Sequence, residues 1–151
     1  MGGDRRVALD TSVIVAALLS VHERHPAALP FVAALRGTGQ LVVPAPALIE
    51  AYSVLTRLPT PLRLERRVVA EALFRTFHDA GETVALDGPA AWELVAGAVA
   101  SEVVGGAVYD FHIAACARRA GATELATFNR RHFERFDVPG LRIIEPSVAG
   151  G

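Results

Sequence analysis

Residues 5–19, RRVALDTSVIVAALL, place a single acidic residue, Asp10, between two short apolar segments. Residues 5–9 predict a buried β-strand, because they form a short, mostly apolar run that ends at a charged residue. Residues 12–19 predict a helix that begins directly after this strand. In sheets built from such strand–helix units, ligands bind outside the carboxyl ends of the strands. We therefore expect Asp10 at the edge of the sheet where a functional site would form.

The rest of the chain continues to alternate strands and helices, with proline and glycine residues between them. Strands are predicted at 40–43, 83–86, 124–127 and 141–144, and helices at 26–36, 47–58, 64–80, about 88–104 with Asp87 as its N-cap, and 108–120. Helix 64–80 is amphipathic, and its apolar face comprises Leu64, Val68, Ala72, Leu73 and Phe77. This alternation predicts an α/β layer fold with a mostly parallel sheet.

The composition limits the class of protein. The chain has 151 residues, of which 52% are hydrophobic and 21% are charged. These values predict one globular domain spanning 1–151, with an ordered core at about 5–145, and exclude an intrinsically disordered chain. No apolar run reaches the ~18–20 residues that a membrane-spanning helix needs. Because the chain has one cysteine, Cys116, and no recognisable signal peptide, we expect a cytoplasmic protein.

Three carboxylates stand out because each is isolated in an apolar segment. Asp10 is the only formally charged residue in 7–22, Glu50 the only one in 37–56, and Asp110 the only one in 103–117. Burial of an isolated carboxylate is costly unless it is paired or bound to a metal ion. Taken singly, Asp10 is explained as a helix cap, Glu50 as an exposed surface residue, and Asp110 as a favourable charge in a first helical turn. Their joint occurrence in the most charge-poor segments favours a shared function.

Three carboxylates that share one pocket repel each other unless a cation keeps them ionised. Ligation by oxygen alone suits Mg²⁺ or Mn²⁺, which bind through a few carboxylates and through the phosphate groups of a substrate. Such a site activates water near neutral pH and neutralises phosphoryl oxygens during displacement. The three carboxylates therefore predict metal-dependent hydrolysis of phosphodiester bonds.

Four segments carry a resemblance to a known family. They are VALDTS at 7–12, LIEA at 48–51, YDFHIAA at 109–115 and LATFNRRHF at 125–133. In this order and spacing the chain resembles the PIN-domain family, and it is most similar to VapC-like ribonuclease toxins of type II toxin–antitoxin pairs. The resemblance spans nearly the whole chain. It implies a three-layer α/β/α sandwich around a central, mostly parallel five-stranded sheet with the strand order 3-2-1-4-5.

The resemblance also implies a function. It implies an endoribonuclease that uses Mg²⁺ or Mn²⁺ to cleave structured RNA and leaves a 5′-phosphate and a 3′-hydroxyl. It further implies a homodimer and an inhibitory antitoxin encoded by a neighbouring gene. The apolar helices at 13–19 and 26–35 predict a groove that a segment of this partner fills. Two other functions stay open: an RNA-processing nuclease without an antitoxin, and a non-catalytic PIN-like module that binds RNA or protein.

The family's functional positions map onto five residues of this chain. Asp10, Glu50 and Asp110 match its first three acidic positions, which implies that they hold the metal ion and act in catalysis. Thr11 and Thr127 match nearby hydroxyl positions, which orient water or backbone and are assigned here to substrate binding.

The fourth acidic position is where this sequence departs from the family. Relatives place an acid at the position of Asn129 or at that of His132, and neither residue is acidic here. The resemblance assigns Asn129 to the catalytic set as a neutral oxygen donor, while His132 would supply a nitrogen. Which of the two fills the position stays open, as does the choice between one metal ion and two.

Arginine and phenylalanine residues cluster towards the C-terminal end of the chain. The net charge of −1 excludes a general basic field for nucleic-acid binding, but 118–142 carries an excess of arginines. Arg130 and Arg131 are predicted to contact RNA because they adjoin the candidate metal site. Phe133 and Phe136 are predicted to lie in the core, whereas Phe128 stays a candidate for stacking on a base.

Overall fold

Five parallel strands form a single sheet in this computed structural model, which describes residues 4–136 and 138–148. The strands are β1 Val7–Leu9, β2 Leu41–Pro44, β3 Glu82–Val84, β4 Glu124–Ala126 and β5 Arg142–Ile144. They lie side by side in the order β3-β2-β1-β4-β5. In the register, Ala8 at the centre of β1 pairs with Val42 on one side and Leu125 on the other. This order confirms the topology that the family resemblance implies.

Helices cover both faces of the sheet. Within the described ranges they are α1 Thr11–Leu18, α2 His25–Leu35, α3 Ala45–Thr56, α4 Arg66–Phe77, α5 Gly88–Ala100, α6 Ala107–Arg119 and α7 Arg130–Glu134. Every residue of β1, β2 and β4 is buried, as parallel strands enclosed between two helical layers must be. The three-layer α/β/α sandwich is therefore confirmed. None of these helices combines the length and the apolar character needed to cross a membrane.

Helix α1 lies inside the core rather than at the surface. Residues 13–17 are all buried, and the helix packs against α2 and α3. The prediction that helix 13–19 helps to form an exposed apolar groove is therefore wrong. Because β1 and α1 are both anchored in the core and are joined by Asp10 alone, the backbone of Asp10 is held firmly between them.

Helices α5 and α7 differ from the sequence prediction. Asp87 caps α5 as predicted, since its carboxylate accepts a hydrogen bond from Ala90 N at 2.9 Å. The helix ends at Ala100 instead of near 104, because Glu102 and Gly105 adopt φ values of 57° and 61°, which a right-handed helix excludes. Helix α7 was not predicted, because five residues are too few to show a helical periodicity.

The buried stripe of α4 is rotated from the predicted one. Glu65 caps the helix, and the buried side chains are Val69, Leu73 and Phe77, at intervals of four residues. Val68, which was predicted to be on the apolar face, is 54% exposed. The helix packs against α3, and Val68, next to the buried stripe, remains in solvent.

An ion-pair cluster holds the amino-terminal edge of the sheet. Glu124 at the start of β4 is 5% exposed and forms ion pairs with Arg5 and, at 2.7 Å, with Arg142. Burial alone would raise the pKa of Glu124, but the hydrogen bonds and charges of the two arginines outweigh burial and lower it. The cluster ties the segment before β1 and the edge strand β5 to the buried strand between them.

Candidate active site

A cleft beside the carboxyl end of the sheet brings the predicted acidic residues together. Asp10 follows β1, Glu50 lies in α3, and Asp110 lies in the first turn of α6. All three line one cleft of about 320 Å³. Asn129, at the N-cap of α7, and His132, within α7, line the same cleft. Carboxylates that are distant in the sequence therefore share one site.

Asp10 is held by two hydroxyl groups. Its side chain is buried, at 3% exposure, and its Oδ2 accepts hydrogen bonds from Ser12 Oγ at 2.8 Å and Thr127 Oγ1 at 2.7 Å. These hydroxyls in turn accept hydrogen bonds from the backbone N–H groups of Phe128 and Asn129. Asp10 occupies the N-cap position of α1 but makes no side-chain capping bond. The helix-cap explanation of this residue therefore does not hold, because the carboxylate is turned towards β4 and the cleft.

Asp110 lies among charges of both signs. His132 Nδ1 is 3.5 Å and Arg135 Nη2 is 3.9 Å from its Oδ2. Burial raises the pKa of Asp110, and the nearby carboxylates of Asp10 and Glu50 raise it further, while His132 and Arg135 oppose the shift. The raised pKa is the expected signature of carboxylates that face one another across a cleft.

Glu50 and Thr11 complete the polar lining of the cleft in different ways. Glu50 is exposed, so it lies on the open side of the cleft and its side chain is free to rotate. Thr11 is 6% exposed, and its Oγ1 has no hydrogen-bond partner among the described residues. A buried hydroxyl without a partner is costly, so this group indicates that the cleft is shaped to hold a ligand or an ordered water.

Residues 7–139 match the family model described as the PIN domain. The chain belongs to the PIN-domain family. Two relatives of this PIN domain are ribonucleases of Mycobacterium tuberculosis. Ribonuclease VapC40 is 37% identical over 131 residues, which cover 87% of this chain and 92% of the relative. Ribonuclease VapC27 is 33% identical over 138 residues, which cover 91% of this chain and 95% of the relative.

Solved structures show the same PIN fold. Mycobacterium tuberculosis VapC20, described as a toxin that cleaves the sarcin–ricin loop, has a TM-score of 0.69 and 17% identity, covering 90% of this chain and 98% of its own. Rickettsia felis VapBC2, solved with a DNA fragment from its promoter, contains a chain with a TM-score of 0.61 and 16% identity, covering 93% and 98%. At such identities the likeness concerns the fold alone.

Thr127 of the PIN domain lies behind Asp10 rather than at the cleft surface. It is 0% exposed, and its hydroxyl both donates to Asp10 and accepts from Asn129 N. No part of this side chain is accessible to a substrate. The sequence assigned Thr127 to substrate binding; its position instead makes it a residue that orients Asp10.

The predicted RNA-binding arginines lie outside the residues that line the cleft. Arg130 forms an ion pair with Glu134 at 3.1 Å, and Arg131 is exposed. Both are carried by α7, the helix that also bears His132, so they flank the cleft. Phe133 and Phe136 are buried, as the sequence predicts.

Two residues that were not assigned from the sequence, Ser12 and His22, also line the cleft, and a third, Arg24, lies in the same loop as His22. Ser12 bonds Asp10, and His22, in the loop between α1 and α2, lines the cleft. Arg24, in the same loop, places its guanidinium 5.4 Å from the ring centroid of Phe128, which is half-buried. Ser12 was identifiable from its position two residues after Asp10, whereas nothing in the pattern of the loop marks His22 or Arg24.

The donor atoms of the cleft suit a divalent cation that keeps part of its water shell. As the side chains stand in the described ranges, no three histidine, cysteine, aspartate or glutamate residues converge on one point. Asp10, Asp110 and Glu50 nevertheless line the same cleft, and the buried Thr11 hydroxyl lacks a partner among the described residues. Mg²⁺ and Mn²⁺ bind in this way, through one or two carboxylates together with water and substrate phosphate. The residues present therefore fit such an ion.

Proposed function

We propose that this PIN domain is a metal-dependent endoribonuclease and the toxin of a type II toxin–antitoxin pair, acting on RNA in the cytoplasm. The observation that carries the proposal is the meeting of Asp10, Glu50 and Asp110 at one cleft. The sequence relatives named as ribonucleases, at 37% and 33% identity, support RNA as the substrate.

The carboxylates of the cleft have different roles in this proposal. Mg²⁺ or Mn²⁺, when bound, supplies the positive charge that polarises water and phosphate oxygens. Asp10 is the rigid ligand, because Ser12 and Thr127 both bond its Oδ2 and no hydrogen bond within the described residues reaches its Oδ1. Asp110 is the second ligand, because it lines the same cleft as Asp10. Burial and the neighbouring carboxylates disfavour its ionised form, which a bound cation would stabilise.

Glu50 and Asn129 act on the water and the substrate. Glu50 is the exposed carboxylate of the three, so it has the freedom to orient the attacking water and to accept its proton. Asn129 adds a neutral amide at the fourth family position, in the lining of the same cleft. Arg130 and Arg131 lie beside the cleft on α7, where they would contact the RNA backbone.

The proposal is tested by RNA cleavage with three aspartate variants. Asp10→Asn and Asp110→Asn should each reduce metal-dependent cleavage of an RNA panel at least 100-fold, because each removes a charge from the metal site. Asp79→Asn is the matched control, since the Asp79 side chain is 95% exposed and does not line the cleft. Cleavage by both cleft variants at the parent rate would contradict the assignment. A parent protein that binds RNA without cleaving it would instead identify a non-catalytic module.

An antitoxin partner is part of the proposal, and the structure offers it a different groove from the one predicted. A groove of about 350 Å³ between α3 and α4 exposes Ile49, Tyr52 and Phe74, at 68%, 39% and 64%. The protein should co-purify with the product of the adjacent gene, and Ile49→Glu should weaken that association. If co-expression changes neither growth inhibition nor solubility, the antitoxin part of the proposal is wrong.

A homodimer is also proposed, with α5 as its contact surface. Trp92, Val95 and Val99 share one face of this helix and are 77%, 58% and 76% exposed. An apolar surface of this kind is typical of a protein contact. The mass in solution, measured by light scattering, should be that of a dimer for the parent and of a monomer for Trp92→Asp. A monomeric parent would contradict the proposed dimer.

A further inference from the structure

The cleft presents an imidazole nitrogen beside one of its carboxylates. Helix α7 carries the His132 ring to Asp110, with 3.5 Å between Nδ1 and Oδ2. This separation is too long for a good hydrogen bond. Two ligand atoms that each lie about 2.1 Å from one cation are themselves ~3–3.5 Å apart. The distance between His132 Nδ1 and Asp110 Oδ2 falls within this range. The pair is therefore spaced as two ligands of a shared ion.

The second imidazole at the cleft is differently disposed. His22 Nδ1 accepts a hydrogen bond from Arg24 N at 3.0 Å. In the neutral ring Nε2 then carries the proton, so no lone pair is left for a cation. His132 makes no ring hydrogen bond within the described residues, and its side chain is 57% exposed. The ring of His132 is thus the imidazole of the cleft that is available as a ligand.

A separate observation indicates a ligand in the same cleft. The Thr11 hydroxyl is buried, lacks a partner among the described residues and lines the cleft with His132. Buried polar atoms are normally satisfied by protein, water or ligand. The cleft therefore contains an unsatisfied oxygen as well as an available nitrogen.

On the basis of the proposed nuclease function, we propose that His132 is a ligand of the catalytic cation and makes the cleft prefer Mn²⁺ to Mg²⁺. Mg²⁺ selects oxygen donors and near-ideal octahedral geometry. Imidazole nitrogen suits transition metals such as Zn, Cu, Fe and Ni, and Mn²⁺ is a transition metal that shares the preference of Mg²⁺ for carboxylate and water ligands. Beside Asp110, His132 therefore offers a nitrogen donor that serves Mn²⁺ better than it serves Mg²⁺.

Cation binding to the full chain, stripped of metal with a chelator, tests this assignment without reliance on activity. Calorimetric titration should show Mn²⁺ binding to the parent at least tenfold tighter than Mg²⁺. His132→Asp should lower this Mn²⁺-to-Mg²⁺ ratio at least fivefold, mainly by improving Mg²⁺ binding. His132→Gln should weaken Mn²⁺ binding and leave Mg²⁺ binding nearly unchanged.

Electron spin-echo spectroscopy of bound Mn²⁺ identifies the nitrogen directly. The parent should show a ¹⁴N coupling from imidazole that is absent in His132→Gln. The matched control is His78→Gln, because His78 also faces a carboxylate, Asp79, at 2.9 Å but does not line the cleft. This control should keep both the ¹⁴N coupling and the parent affinity ratio.

The outcomes separate this inference from the function on which it rests. If Asp110→Asn weakens binding of both cations while the His132 variants keep the parent ratio, the metal site stands and the inference is overturned. The same conclusion follows if the ¹⁴N coupling persists in His132→Gln. If the parent binds neither cation, or Asp110→Asn binds them as the parent does, the proposed metal site itself is wrong and the inference falls with it.

Discussion

Replacement of Thr127 by valine tests how the fold holds its buried carboxylate. Valine keeps the shape of the side chain and removes its hydroxyl. The change deletes the hydrogen bond to Asp10 Oδ2 at 2.7 Å and leaves Asn129 N, which donates to Thr127 Oγ1 at 2.9 Å, without its acceptor. A hydrogen bond to a charged group contributes about 1.5–3 kcal/mol. Asn129 is exposed, so water can replace the acceptor that its N–H loses.

Ser12 still bonds Asp10, so the loss does not exceed that of the one hydrogen bond. We expect Thr127→Val to lower the free energy of unfolding by about 2 kcal/mol. For a chain of 151 residues this corresponds to a decrease in Tm of about 4–8 °C.

Urea denaturation followed by circular dichroism at pH 7, in the presence of chelator, measures the effect. Thr127→Ser retains the hydroxyl and should lose only about 1 kcal/mol, the contribution of one buried methyl group. Thr83→Val is the control, because Thr83 is exposed on the edge strand β3, and it should lie within about 0.5 kcal/mol of the parent. If Thr127→Val also lies within that range, the hydroxyl does not hold Asp10 and the reasoning is refuted.

Three further substitutions test other charges of the fold. Burial and neighbouring carboxylates raise the pKa of Asp110 above 3.8, so its ionised form destabilises the metal-free fold at neutral pH. Asp110→Asn should therefore raise Tm at pH 7, and the increase should become smaller as the pH falls through the raised pKa of Asp110. Equal melting temperatures of parent and variant at pH 7 would contradict this. The pKa of Glu124 is lowered from 4.5 by Arg5 and Arg142 despite burial, so its ionised form stabilises the fold above that value. Glu124→Gln should lower the free energy of unfolding by about 1–3 kcal/mol in urea denaturation at pH 7. This difference from the parent should be lost as the pH falls through the lowered pKa, and a difference that does not depend on pH would exclude a charge effect. Asn129→Asp adds a charge to the cleft and should tighten Mg²⁺ binding at least threefold by calorimetry, whereas unchanged affinity would place residue 129 outside the metal site.

The buried position of β1, the parallel sheet and the three cleft carboxylates were all predictable from the sequence. Each leaves a local signal: a short apolar run, a regular alternation of strands and helices, or one charge in a long uncharged segment. These signals can be recognised without the tertiary structure, because each residue has its own free-energy cost for burying a charge or exposing apolar surface. The parallel topology then brings the ends of β1 and β4 to one edge.

The tertiary structure alone decided which other groups meet the carboxylates at the cleft. Thr127 bonds Asp10 across 117 positions of sequence, and a threonine at the end of a strand carries no sign of its partner. The position of His132 beside Asp110 depends on α7, whose five residues are too few to form a periodic pattern. Such contacts are set by how helices and strands pack and by side-chain rotamers, which depend on neighbours from distant parts of the chain. The sequence therefore determined that a cluster of acids would form, and packing determined which of their oxygens are held and which face the cleft.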